Sequence, residues 1–398
     1  LVQDKPFFED LTAEAGIRYS DYSVQGGAGY NTTTWKAGLN WTPINGLKLR
    51  GNYSHAVRAP NISELFSPLN TVLTNLASDP CAGSAPTQNA NLAAICVAQG
   101  ALASQLGSII NDPAGQVNTT TGGNLALGPE KSNSYTFGVV LQPSVAPGLA
   151  ITVDYYNIKI TGAITNPTPD DVINACFDNI TAASASSEAC TVIRRDPSTG
   201  GLYGEAAVVG GLYQPLSNLG KLKTDGIDVS INYSKDIGFA KWALNANGNW
   251  TNSSKFQATP TSVNRDCVGL YSANCASIQP KFQWSVRNTL SFGMADVSLL
   301  WRYIDGVKYE DGDAFVGELN GKQVDFNRIP AEHYFDLTGR FHASDEITFT
   351  LTVQNLLNNK PKVVGNTIGS TSYNSGNVYP STYDALGRRY AVSAKFRF

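Results

Sequence analysis

The last eleven residues of the chain, 388–398, read RRYAVSAKFRF, and their side chains alternate in character. Tyr390, Val392, Phe396 and Phe398 occupy apolar positions, while the positions between them carry polar, charged or small side chains. Successive side chains of a β-strand point to opposite faces of its sheet, so a period of two predicts a strand. This strand needs an apolar environment on one side and a polar environment on the other.

The same alternation recurs along the whole chain. In ITFTLTVQ, residues 347–354, isoleucine, phenylalanine, leucine and valine alternate with three threonines and a glutamine. This period predicts half-buried strands rather than helices. With the terminal segment, about twelve strands are predicted, and the others lie at 11–19, 35–41, 47–53, 135–141, 149–155, 227–233, 242–250, 282–292, 297–303, 335–341 and 347–353.

The connections between these segments fall into two classes that alternate along the chain. Short connections of a few residues contain turn formers, such as TPING at 42–46 and GMAD at 293–296. Strict alternation of short and long connections predicts an up-and-down sheet with all long loops at one end, the arrangement of outer-membrane barrels. The long connections lie at 21–34, 57–130, 160–222, 252–279, 310–332 and 356–388.

Two fold classes are compatible with alternating strands: a soluble sandwich or propeller, and a transmembrane barrel. The apolar positions are nearly uninterrupted over all twelve segments, and aromatic residues mark the ends of several of them. Trp35 and Trp41 lie roughly 20 Å apart along one strand, which matches the spacing of two interfacial girdles. No apolar run is long enough for a membrane-spanning helix. The sequence therefore favours an all-β, antiparallel up-and-down transmembrane β-barrel.

The six cysteines form three pairs that are close in sequence, and each pair lies in a predicted long loop. Neighbour pairing predicts three loop disulfides and an oxidising compartment, although other connectivities of six cysteines stay open. Zinc binding is the alternative, but the spacing and the scarcity of histidines disfavour it. The predicted pairs are Cys81 with Cys96, Cys176 with Cys190, and Cys267 with Cys275.

Several motifs, in a fixed order, resemble those of one membrane protein family. The segment at 35–68 reads WKAGLNWTPINGLKLRGNYSHAVRAPNISELFSP, and the segment at 124–138 reads NLALGPEKSNSYTFG. They are followed by DYYNI at 154–158, QNLLN at 354–358 and a closing strand that starts at YDALGRRY, 383–390. Together these motifs resemble the barrel of TonB-dependent outer-membrane receptors over nearly the whole chain.

The resemblance implies a domain organisation and a function. Members of this family have a TonB-box peptide, a plug domain and a barrel of about 22 strands. We therefore expect residues 1–398 to be the C-terminal part of such a barrel, with plug and TonB box absent from this chain. The implied function is TonB-energised uptake of a siderophore, vitamin, oligosaccharide or peptide across the outer membrane of a Gram-negative bacterium. A passive porin-like channel and a surface-binding barrel are the alternatives.

The resemblance and the loop composition also suggest site residues and partners. Tyr390, Val392, Phe396 and Phe398 resemble the terminal signal read by the barrel-assembly machinery, and outer-membrane lipid is the expected surrounding. Loop aromatic and amide side chains are the candidate ligand contacts: Tyr213, Gln214, Tyr271, Tyr309, Tyr373 and Tyr379.

Other chemistry is not predicted. The three histidines have neither a catalytic nor a metal-binding spacing, so we expect no enzyme activity, cofactor or metal site. The net charge of −3 gives no reason to expect a nucleic-acid partner.

Overall fold

The computed structural model describes residues 1–397 with the exception of 28, 77, 112–113, 261, 273, 276–277, 311–315, 320 and 366–376. For residues 316–319 and 322–324 only the backbone is described. Two residues singled out in the sequence, Tyr373 and Phe398, lie outside the described residues.

Strands dominate the described part of the chain. In chain order they are β1 (Val2–Lys5), β2 (Phe8–Tyr22), β3 (Tyr30–Ile44), β4 (Leu47–Arg58), β5 (Asn70–Asn75), β6 (Gln116–Thr121), β7 (Glu130–Leu141), β8 (Leu149–Thr165), β9 (Ile193–Arg194), β10 (Gly211–Tyr213), β11 (Ser217–Asp236), β12 (Lys241–Gln257), β13 (Arg265–Asp266), β14 (Leu270–Tyr271), β15 (Phe282–Ser291), β16 (Ala295–Ile304), β17 (Val307–Tyr309), β18 (Val316–Leu319), β19 (Lys322–Asp325), β20 (Arg328–Ile329), β21 (Glu332–His342), β22 (Ile347–Gln354) and β23 (Arg389–Phe396).

The largest sheet, called the wall below, contains all twelve strands predicted from the sequence. Its order is β1-β2-β3-β4-β7-β8-β11-β12-β15-β16-β21-β22-β23, and every neighbouring pair is antiparallel. The short β1 is an addition, and β13 pairs with the end of β12. Strands that follow one another in the wall are joined alternately by short turns and long loops, except that the connection from β2 to β3 is also short, and the sheet has the predicted up-and-down arrangement.

The wall has an apolar face and a polar face, and the apolar face is open to its surroundings. Leu351 on β22 is 51% exposed and its cross-strand neighbour Val392 on β23 is 78% exposed, although both are aliphatic. Thr350 and Ser393 form the adjacent pair on the polar face. An exposed aliphatic face of this extent is typical of a barrel wall that contacts lipid.

One predicted connection is shorter than expected. Residues 21–34 were expected to form a long loop, but β2 continues to Tyr22 and β3 begins at Tyr30, with the two rings stacked 5.2 Å apart. The β-branched and aromatic residues at these strand ends extend the ladder. The tight turn after β3 needs Gly46, whose φ is +83° and whose added Cβ would come within 2.4 Å of the Gln142 carbonyl oxygen.

The helices of the described residues are short and lie in the long loops. They are α1 (Ile62–Phe66), α2 (Ala85–Gln88), α3 (Ala90–Ala98), α4 (Pro169–Phe177) and α5 (Glu188–Thr191), with 3₁₀ turns at Ala103–Gln105 and Ser184–Ser186. Thr168 caps α4 by accepting a hydrogen bond from the Asp171 amide, and Pro169 fits the first turn because its missing N–H has no helical partner there. In the part of the chain that the structure describes, no helix is long and apolar enough to cross a bilayer.

Candidate functional site

The polar face of the wall forms a trough lined with paired charges and amides. The Arg50 guanidinium donates to both oxygens of Asp154, at 2.8 and 2.5 Å, and so ties β4 to β8 across β7. Asp154 and Asp228 line a cavity of about 470 Å³ together with Asn249 and Arg302. The trough therefore presents fixed hydrogen-bonding groups rather than an apolar core.

Above the trough, two long loops join to form a first lobe, defined as the described residues of 70–121 and 169–213. Its four-stranded sheet has the order β5-β6-β10-β9, with β10 parallel to β6 although they belong to different loops. Gly211 permits this contact, because its φ is +62° and a Cβ would come within 1.8 Å of the Asn118 carbonyl oxygen. Disulfides Cys81–Cys96 and Cys176–Cys190 lie within the lobe.

A buried ion pair joins the two loops of the first lobe. The Arg195 guanidinium donates to both carboxylate oxygens of Asp79, at 2.6 and 2.7 Å, and to the Gln99 side-chain oxygen at 2.8 Å. The Arg195 side chain is fully buried and that of Asp79 is 6% exposed. Because each charge satisfies the other in a bidentate geometry, removal of either one leaves a buried charge without its counterion.

The other long loops form a second lobe, defined as the described residues of 267–279, 307–329 and 364–383. Its three-stranded sheet has the order β14-β17-β20, and the Cys267–Cys275 disulfide closes one loop. A cluster of tyrosines forms its core. Tyr271, Tyr379 and Tyr383 belong to the lobe and Tyr334 belongs to β21 of the wall, and each is at most 2% exposed. Burial raises the pKa of Tyr271 and of Tyr383 above the ordinary value, because the interior of the cluster disfavours the charged phenolate.

One arginine side chain contacts both lobes. Arg265, on β13, contacts Asp171 at the start of α4 at 3.2 Å and also donates to Glu310 beyond β17. Glu310 is further held by the Ser272 hydroxyl at 2.5 Å. Because Asp171 is 1% exposed and Arg265 is 7% exposed, the lobes meet through charges that are shielded from water.

Between the second lobe and the polar face lies a second cavity, of about 510 Å³. Among the described residues its lining carries hydroxyl and amide side chains and no charged group. The polar side chains of the lining are Thr224, Thr251, Ser254, Gln279, Gln283, Ser381 and Thr382. The wall contributes four of these residues and the loops three, so the cavity lies where the loops meet the trough.

The candidate ligand residues from the sequence are mostly structural in this conformation. Tyr271 and Tyr379 lie in the core of the second lobe with ring centroids 6.2 Å apart, and Tyr309 packs beside Tyr271 at 5.8 Å. In the first lobe, Tyr213 stacks under the Arg194 guanidinium. The next residue, Gln214, is 3% exposed and donates to the Thr168 carbonyl at the edge of the lobe. Ligand contact by these residues stays a prediction.

The cavity-lining hydroxyls and Arg265 were not singled out from the sequence. Threonine, serine and glutamine on the polar face near the long-loop end of each strand would have been the signal, but such residues are abundant on every strand. Groups of three or more histidine, cysteine, aspartate or glutamate side chains that could hold a metal do not occur in the described residues. The three disulfides use all six cysteines and join neighbours in sequence.

The terminal strand is placed as the alternation predicts. Tyr390, Val392 and Phe396 are 68%, 78% and 55% exposed on the apolar face of β23. The strand pairs with β22, and its other edge is not paired with any described residue. Recognition of this strand by an assembly machinery stays a prediction.

Comparison with solved structures shows similar folds at low sequence identity. The siderophore receptor PirA from Acinetobacter baumannii is 15% identical, with a TM-score of 0.56; the alignment covers 98% of this chain and 43% of PirA. The ferric enterobactin receptor PfeA from Pseudomonas aeruginosa, solved as a mutant with enterobactin, is 13% identical, with a TM-score of 0.57. The alignment covers 98% of this chain and 44% of PfeA. This chain thus spans less than half the length of these structures.

No curated protein matches the sequence of this chain. A family model does match, however: the TonB dependent receptor-like, beta-barrel model covers residues 2–356. This is a family of receptors rather than of enzymes, and its match confirms both the resemblance noted in the sequence and the barrel fold class. The chain belongs to the family of TonB-dependent receptor β-barrels.

Proposed function

We propose that this chain forms the ligand-capturing part of a nutrient receptor in the outer membrane of a Gram-negative bacterium, with uptake energised through TonB and a plug domain. Family membership supports the location and the partners. The observation that carries the proposal is the cavity of about 510 Å³ between the second lobe and the polar trough. It lies on the path that a ligand would follow from the loops into the barrel.

The lining of this cavity favours a ligand recognised by neutral hydrogen bonds. A volume of 300–1,000 Å³ is usual for small-molecule sites. Seven hydroxyl and amide side chains converge here, and the apolar Ile278, Pro280 and Ile304 complete the surface. This combination suits a polyhydroxylated ligand with apolar ring faces, so we propose an uncharged oligosaccharide rather than an anionic ferric complex.

The connection between the lobes supports a capture role. Arg265 holds the first lobe to the second through Asp171 and Glu310, and all three side chains are shielded from water. The two lobes above the wall are therefore held together by an ion-pair bridge that is itself fixed.

The test is equilibrium binding to the receptor isolated from outer membranes, with neutral oligosaccharides and ferric catecholates as probes. Thr251→Val removes one lining hydroxyl and keeps the side-chain shape, so we expect oligosaccharide affinity to fall roughly 2–10-fold, the value of one hydrogen bond. Thr152→Val is the matched control, because Thr152 lies on the polar face near the short-turn end and outside this cavity. If the ferric complex binds tightly and Thr251→Val leaves its affinity unchanged, the proposed oligosaccharide ligand is wrong.

Energised uptake is tested separately from binding. We expect intact cells to accumulate the ligand only when TonB is functional. In planar bilayers the isolated receptor should be nearly silent. A steady current, with uptake that does not depend on TonB, would instead identify a passive porin-like channel.

A further inference from the structure

The four-stranded sheet of the first lobe has two edges that differ in how they are protected. At one edge, β9 is only two residues long and carries the charged Arg194. The amide that follows it, that of Arg195, donates to the Gln99 carbonyl at 2.8 Å. Short edge strands and charged side chains are devices by which proteins keep other chains from pairing with a sheet. This edge is therefore closed to further pairing.

The opposite edge of the sheet, β5, lacks these protections. Its six residues read NTVLTN, without charge or proline, and no charged residue occurs between Glu64 and Asp79. The ladder to β6 runs without a shift of register, so no bulge bends the strand away. Among the described strands β5 pairs with β6 alone, and its outer backbone N–H and C=O groups face no other strand. An edge of this kind is a template for pairing with another chain.

The side chains at the centre of β5 are apolar on both faces of the sheet. Val72 points to one face and Leu73 to the other, and they are 47% and 59% exposed. Phe66 and Leu69, just before the strand, are half exposed as well. A strand that paired with β5 would therefore cover apolar surface on both faces in addition to satisfying the backbone.

Charge and register favour a second copy of β5 as the occupant. The side chains of β5, β6 and β10 are all uncharged, so a two-fold pairing brings no like charges together. Opposite residues of an antiparallel pair share a face, so the two-fold axis passes beside one residue that meets itself. With Leu73 at the axis, leucine meets leucine at the centre of the strand. The flanking neutral pairs are then Val72 with Thr74 and Thr71 with Asn75.

The size of this edge determines the strength of the contact. A strand of six residues is about 20 Å long and a sheet about 10 Å thick, so the edge offers on the order of 200 Å² per partner. A stable interface needs about 800 Å² per partner. Pairing through β5 is therefore a weak, reversible association that suits copies concentrated in one membrane.

We propose that β5 is a docking edge for a second copy of this chain. The two β5 strands pair antiparallel about a two-fold axis at Leu73, and the four-stranded sheets of the two first lobes become one continuous sheet.

The first experiment measures self-association of the receptor isolated from outer membranes, by sedimentation in mild detergent over a range of concentrations. Leu73→Lys places two ammonium groups opposite each other, and we expect the dimer affinity to fall at least about tenfold. Leu102→Lys is the matched control, because Leu102 is 55% exposed on the same lobe but outside its sheet. This variant should dimerise like the wild type. Hydrogen exchange of α3 and β9 verifies that the lobe is folded in both variants.

The second experiment tests the register by disulfide formation in native outer membranes. Residues directly opposite each other have Cα atoms about 4.5–5.5 Å apart, which permits a disulfide. We therefore expect Leu73→Cys to give a disulfide-linked dimer. Val72→Cys, whose two copies are offset by two positions, and Leu102→Cys should crosslink poorly.

Four results would overturn the proposal. They are a wild type that stays monomeric at every concentration, a dimer that Leu73→Lys leaves unchanged, and crosslinking of either control cysteine as efficient as that of Leu73→Cys. The fourth is slow hydrogen exchange of the outer β5 amides at high dilution, which would show that the edge has another occupant.

Discussion

The first lobe has a core of its own, whereas the second lobe shares its core with the wall. Every core residue of the first lobe, from Leu76 to Leu212, lies in a long loop. The core of the second lobe includes Tyr334 of β21, with Ile304 of β16 packed against it, and the Tyr334 hydroxyl accepts a hydrogen bond from the Asp384 amide at 3.3 Å. The first lobe is therefore expected to unfold without the wall, and the second lobe only together with it.

The largest effect is expected from the buried ion pair of the first lobe. Asp79→Ala leaves the Arg195 guanidinium without a counterion, and breaking such a pair costs about 3–5 kcal/mol. Hydrogen exchange should show α3 and β9 losing protection while the second lobe and the wall keep theirs.

An exposed ion pair provides the control for this variant. Lys36 and Glu14 are paired at 2.9 Å with side chains 54% and 59% exposed, so Lys36→Ala should cost below about 1 kcal/mol. If Asp79→Ala also deprotects β16 and β21, the independence of the first lobe is wrong.

Reduction of the disulfides should give the next largest difference. The first lobe loses two cross-links with sequence separations of 15 and 14, worth about 3 kcal/mol each in the loop-entropy account, and the second lobe loses one with a separation of 8. Limited proteolysis under reducing conditions should cut the first lobe first and leave the wall intact. Cleavage within β21 or β22 at the same rate would contradict the comparison.

The smallest effects concern two tyrosines of the second lobe. The Tyr383 hydroxyl is buried without a hydrogen-bond partner among the described atoms, so Tyr383→Phe should be neutral or stabilising by up to about 1 kcal/mol. The Tyr271 hydroxyl donates to the Phe326 carbonyl, and Tyr271→Phe should cost about 1 kcal/mol. The midpoints of thermal unfolding of the two variants measure this difference in stability. Equal midpoints would show that the two hydroxyls do not contribute differently to the stability of the lobe.

The wall was predictable from the sequence because its signal is local. Alternation with a period of two is readable within eight residues, and all twelve predicted segments are strands of the wall. The connection at 21–34 was predicted to be longer than it is. The ends of β2 and β3 carry polar β-branched residues, so no apolar face indicates there that the strands continue.

The lobes were not predictable, because their contacts join residues that are far apart in the chain. Asp79 and Arg195 are 116 residues apart, and no pattern near either residue indicates the other. The burial of two candidate ligand residues was missed for a related reason. An aromatic residue in a polar loop is expected to be exposed, whereas Tyr271 and Tyr379 lie in a core that forms only when the loops fold together.

The parallel pairing of β6 with β10 has a consequence for how such receptors diversify. Each strand comes from a different loop, and neither loop can bury its apolar residues without the other. Transplanting one of these loops onto another barrel would leave half a core exposed. The two loops are therefore expected to be retained or exchanged together. In receptors built this way, changes of specificity in the first lobe are expected to arise by exchange of both loops together or by substitution within them, not by grafting one loop.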